Sequence, residues 1–107
     1  MTRSVDQRFD DILAAIERCR RYRVHLSGEN AELAAMAFDA TLRNLAVIGE
    51  AVRALPEEAT RVMPDIPWAS IAGLRNIVVH EYFRVDHTAI IDIVDNYLED
   101  LARAIAH

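Results

Sequence analysis

The segment AELAAMAFDATLRNLAVIGEAVRAL, Ala31 to Leu55, decides the fold class. It holds no proline, is rich in alanine and leucine, the residues that lose least on entering a helix, and stops at Pro56. Leu45, Ile48, Val52 and Leu55 recur at steps of three and four, which puts them on one stripe of a helix. Upstream, Val5, Phe9, Ile12, Leu13, Ile16 and Cys19 keep the same rhythm, so a first helix is predicted from about residue 4 to 24, ending near Ser27-Gly28. Downstream, residues 57–62 suit a short helix, and Pro64 with Pro67 impose a turn. The next helix is predicted to run from about Pro67 to Glu81 or Phe83, packing through Trp68, Ile71, Leu74 and Val78. Asp86 then caps a last helix in which Ile90, Val94, Tyr97, Leu98, Leu101 and Ile105 hold helical spacing. No alternating pattern of strand type competes. The expectation is an all-α chain, an up-and-down four-helix bundle with one additional short helix, forming a single domain over residues 1–107. Gly49 and Gly73 each interrupt a helix at a cost of about 1 kcal/mol relative to alanine, for which close helix approach is an explanation.

Composition bounds the function. A chain of 107 residues buries only about two thirds of the surface its unfolded form exposes, so self-association would help it. The first residues lack the apolar centre of a signal peptide, and no stretch is long and apolar enough to span a bilayer, which points to the cytoplasm and away from membranes. Cys19 is the only cysteine, excluding an intrachain disulfide and a cysteine-based zinc cluster within one chain; its simplest role is helix packing. At net −5 the chain repels polyanions as a whole, so any RNA contact must be local. All twelve cations are arginine, which suits planar phosphate recognition and equally a genome of biased base composition. Residues 1–28 carry six arginines against four acids, and residues 29–107 six against thirteen. The first helix is therefore the better polyanion surface, although Arg18, Arg20, Arg21 and Arg23 at its end also complement the helix dipole.

Chemistry concentrates in Arg75-Asn76-Ile77-Val78-Val79-His80-Glu81-Tyr82. Arginine offers a fixed planar cation that pairs two phosphate oxygens, and histidine, with an unperturbed pKa of about 6.5, moves a proton near neutrality. The spacing R-x-x-x-x-H-x-Y, read as Arg75, His80 and Tyr82, resembles the signature of the HepT-like branch of the HEPN ribonuclease toxins. The flanking Asp65-Ile66-Pro67-Trp68, Gly73-Leu74-Arg75-Asn76 and His80-Glu81-Tyr82-Phe83 are similar to that branch in order and spacing, as are Arg43-Asn44-Leu45 and Ile48-Gly49-Glu50-Ala51. The resemblance covers roughly residues 5 to 105. It implies a homodimer, an RNA substrate, and a partner antitoxin, a nucleotidyltransferase of the MntA type that transfers AMP to Tyr82. Without that resemblance Tyr82 would be an aromatic anchor at a helix end.

On a continuous helix Arg75 and Tyr82 share a face about 10 Å apart, while His80 stands roughly 140° round from Arg75 and close to the face of Asn76. One helix therefore brings Arg75 and His80 together poorly unless it is distorted or ends near His80; two copies about a two-fold axis would complete the site. Such a cleft suits metal-independent RNA cleavage. His80 would act as base and acid, each step typically worth about 10²–10⁴ in rate. Arg75 would stabilise the phosphorane, and Asn76 would orient His80 or the phosphate. DNA, lacking the 2′-hydroxyl, would be spared. Glu81 could pair with an arginine, tune His80 or face solvent.

His25, His87 and His107 have no helical metal-site spacing, so no metal or other cofactor is expected, and no glycine-rich phosphate loop is visible. Asp92, Asp95, Glu99 and Asp100 read as the solvated face of the last helix. Two functions from different classes follow: the toxin of a type VII-like toxin–antitoxin system, an endoribonuclease, or a non-catalytic subunit that binds substrate or nucleotide for a minimal nucleotidyltransferase. Only the first requires His80 to titrate.

Overall fold

The computed structural model describes residues 3–81 and 84–106. Helix α1, Val5–Leu26, begins where Ser4 and Gln7 form a reciprocal capping box: Ser4 Oγ accepts from the Gln7 amide at 3.1 Å, and the Gln7 side chain accepts from the Ser4 amide at 2.7 Å. Helix α2, Ala31–Arg53, starts at Asn30, whose side chain accepts from the Leu33 amide at 3.0 Å. The short link between them makes α1 and α2 neighbours, and they form the most extensive helix pair. Most of the predicted stripes are buried: Phe9, Ile12, Ile16 and Cys19 of α1 join Leu45, Ile48 and Val52 of α2 in one core, while Val5, Leu13 and Leu55 are partly buried against it.

The short helix α3, Glu57–Arg61, follows, and the indole N–H of Trp68 donates to the Met63 carbonyl at 2.9 Å, pinning the proline-bounded turn. The helix expected from about Pro67 to Glu81 or Phe83 is divided and ends slightly earlier. It consists of α4, Trp68–Ala72, and α5, Leu74–His80, joined at Gly73, and α5 ends at His80. The joint rests on the backbone of α2. A Cβ on Gly49 would stand 2.8 Å from the Arg75 amide nitrogen, 3.1 Å from the Ile71 carbonyl and 3.2 Å from that of Ala72. Close approach thus accounts for Gly49. It does not account for Gly73, where an added Cβ would meet only the Ser70 and Ala69 carbonyls at 3.4 and 3.5 Å, ordinary contact distances.

The last rod comprises α6, His87–Asp92, a π-helical turn over Ile93–Tyr97, and α7, Leu98–Ile105. Asp86 caps it as expected, accepting from the Ala89 amide at 2.8 Å. The π turn, in which the Leu98 amide donates to the Ile93 carbonyl, adds a residue to the local repeat. Ile90, Val94, Leu98, Leu101 and Ile105 remain buried, whereas Tyr97, expected in that stripe, is 48% exposed. The described residues therefore form an all-α bundle of four helical rods with α3 as the extra short helix. Among them no helix is long and apolar enough to cross a membrane.

Candidate active site

Arg75 is fixed from two directions. Its backbone lies against Gly49, and its Nε stands 3.4 Å from Glu50 Oε2, the next residue along α2. Its Nη1 also donates to Asn76 Oδ1 at 3.5 Å. Both contacts are long and partly exposed, with the Arg75 side chain 39% accessible, so each holds the guanidinium weakly and a phosphate could displace either. Asn76 is thereby paired with Arg75 rather than with His80.

His80 is the last residue of α5, exposed, and no hydrogen bond joins it to Arg75 or Asn76 among the described residues. The helix ends at His80, where an end was needed if both residues were to serve one site. Ile77 and Val79, on the same short helix, are 40% and 45% exposed. Tyr82, the residue expected to be modified, lies outside the described residues. Glu81 is exposed, as one of its alternatives had it, and also stands 3.8 Å from Arg84.

Glu50 is the site residue that pattern reading passed over. Its neighbour Gly49 marks a close approach to another helix, but helical neighbours point about 100° apart, so the glycine alone does not single out Glu50. The basic end of α1 also departs from expectation. Arg20 Nε meets Glu99 Oε1 at 2.7 Å, and Arg23 binds Asp95 through two nitrogens at 2.8 and 3.1 Å. These arginines clamp α1 to the last rod, and Asp95 and Glu99 are their partners instead of a purely solvated face.

These features place the protein in the class of all-helical bundles that present an arginine, an asparagine and a histidine on one short, largely solvent-facing helix. Within that class, the chain belongs to the family described as Ribonuclease HepT-like, whose family model matches residues 12–107. It is 46% identical over 57 residues to a protein of Methanocaldococcus jannaschii provisionally named as an RNase, covering 53% of this chain and 47% of that one. A second protein so named, from Caldanaerobacter subterraneus subsp. tengcongensis, is 36% identical over 66 residues, 62% of this chain and 59% of its own. A protein of Thermococcus cleftensis named as a probable ribonuclease HepT is 34% identical over 86 residues, 80% of this chain and 78% of its own. The aligned part thus spans about half the length of the first of these relatives. No solved structure gives a significant match.

Proposed function

We propose that the protein is a metal-independent endoribonuclease, the toxin of a type VII-like toxin–antitoxin pair, acting as a homodimer. The observation that carries this reading is the presence of Arg75 and His80 at the surface of one short helix, in a chain of the HepT-like ribonuclease family. Arg75 and His80 stand about 140° apart round α5, and the exposed Ile77 and Val79 between them favour a second copy covering this face. In the paired cleft, one His80 removes the proton of a ribose 2′-hydroxyl, whose oxygen attacks the adjacent phosphorus. The P–O5′ bond breaks, and the partner's His80 protonates the leaving oxygen, giving a 2′,3′-cyclic phosphate and a 5′-hydroxyl. Arg75 turns its Nη nitrogens to the non-bridging oxygens as their charge grows, its Nε staying beside Glu50, and Asn76, next to Arg75, helps to orient the phosphate.

Neutralisation would come from an MntA-type nucleotidyltransferase, which transfers AMP from ATP to the Tyr82 hydroxyl and releases pyrophosphate. Tyr82 follows His80 by two residues, so the modification adds bulk and negative charge beside the catalytic histidine.

The test is incubation of the unmodified protein with RNA in EDTA, beside His80→Ala and Arg75→Ala variants of confirmed fold. Cleavage by the parent alone, with cyclic phosphate ends, is expected. Intact RNA with the unmodified parent would replace the catalytic reading by that of a non-catalytic subunit binding substrate or nucleotide for the nucleotidyltransferase. With that partner and ATP, the parent should gain the mass of one AMP and Tyr82→Phe none.

A further inference from the structure

Between α1 and α2 lies a groove of about 350 Å³ whose walls include Arg8, Asp11 and Arg18 from α1 and Val47, Glu50 and Ala51 from α2. Its charges are unequally committed. Asp11 accepts from Arg3 through both carboxylate oxygens, at 2.7 and 2.8 Å, and Glu50 pairs with Arg75 at 3.4 Å. Both acids of the groove are thus engaged by arginines that are not among its lining residues. Arg8 and Arg18 have no carboxylate within ion-pair distance among the described residues, so the groove carries two uncompensated cations on a chain of net −5. Along α1 they are separated by about 15 Å, a length over which an extended single strand lays down several phosphates. Glu50 belongs to the groove and to the Arg75 contact, so the two sites are continuous.

We propose that the α1–α2 groove holds the RNA strand where it leaves the Arg75 site, with Arg8 and Arg18 each contacting a backbone phosphate. The assignment rests on the ribonuclease reading and adds to it a track for the substrate away from the reacting phosphate. A planar guanidinium suits each contact, and the small Ala51 lets the strand approach the groove floor. Because the contacts are to phosphates, the track raises affinity without selecting sequence.

The experiment compares the parent, the Arg8→Gln/Arg18→Gln double variant and an Arg61→Gln/Arg103→Gln double variant that changes net charge equally outside the groove. Binding is read by fluorescence anisotropy with a short 2′-O-methyl single-stranded RNA, which cannot be cleaved by 2′-hydroxyl attack, over a range of salt. Cleavage is read on a dinucleotide and on a long RNA. The groove variant should bind the oligonucleotide several-fold more weakly, with the slope of log affinity against log salt reduced by about 1.4, or about 0.7 for each phosphate no longer neutralised. It should cleave the dinucleotide like the parent while its KM for long RNA rises. A parent that binds and cleaves, beside a groove variant of unchanged affinity and slope, would overturn the track and leave the ribonuclease standing. An equal loss in the control variant would overturn it as a net-charge effect, and a changed elution volume on gel filtration would make the groove a subunit contact instead. A parent that neither binds nor cleaves RNA would remove the ribonuclease reading and the track together.

Discussion

Cys19 shows how far one residue's chemistry is set by its surroundings. It is fully buried in the core, and burial pushes its thiol from 9.0 up to about 12, the nearby charge of Arg18 offsetting only part of the effect. A folded-state value above the unfolded one means that, between about 9 and 12, the native chain holds a proton that the unfolded chain has released. The associated stability is complete below the lower value and is lost as pH rises through the upper. Urea unfolding at pH 8 and pH 10 should therefore show a loss at the higher pH that is smaller in Cys19→Ala; equal losses in both proteins would contradict the burial argument. Iodoacetamide should modify the native thiol at pH 8 far more slowly than the denatured one, as mass spectrometry can follow. The packing role of Cys19 was legible from its place in the α1 stripe. The residue types of Arg75 and His80 were equally legible, because both stand in one short run of sequence. Glu50 was not: its contact with Arg75 joins residues 25 positions apart in the chain.

At the scale of elements, the sequence located the rods well because their hydrophobic steps are local and repeated, and it placed the Asp86 cap for the same reason. It read through two interruptions. A π turn leaves the apolar residues before and after it on the core, so the pattern on either side still reads as one helix, and only the exposure of Tyr97 discloses it. The α4–α5 joint is invisible for a different reason: helical spacing continues across Gly73, while the contact made at the joint belongs to Gly49 on another helix. The two glycines should consequently behave in opposite ways. Gly49→Ala forces a methyl group against three backbone atoms that cannot rotate away, so α2 and the α4–α5 rod must separate; a loss of roughly 1–3 kcal/mol is expected, as for overpacked cores. Since Arg75 sits at the point of contact, the proposed RNA cleavage should fall as well. Gly73→Ala meets only ordinary contacts and has helical backbone angles, φ −69 and ψ −15, so it should be neutral or gain up to about 1 kcal/mol by restricting the unfolded chain. Thermal melts of the two variants decide this, and equal destabilisation would mean that the joint, rather than the helix approach, sets the requirement for glycine.

Across the whole molecule, the uneven charge visible in the sequence turns partly inward. The surplus of arginines in the first 28 residues faces a surplus of acids in the rest, and two of the resulting attractions, Arg20 with Glu99 and Arg23 with Asp95, tie α1 to the last rod. Such pairs could not be read from sequence, since their members are 79 and 72 positions apart. Their energetic weight is limited by solvent. With side chains 29–44% accessible, each pair should contribute no more than about 1 kcal/mol, and apolar burial must supply most of the attachment through residues such as Ile16, Leu98 and Leu101. The Arg20→Ala/Arg23→Ala variant should therefore remain folded, with a urea midpoint modestly below the parent's at low salt. In 1 M salt, where the Debye length contracts to about 3 Å, the gap should narrow, because screening weakens the parent's pairs while the variant has none to weaken. A gap of several kcal/mol that persists in high salt would mean that the arginine stems pack against the last rod, and that the charge asymmetry contributes to the fold through their apolar stems rather than through attraction.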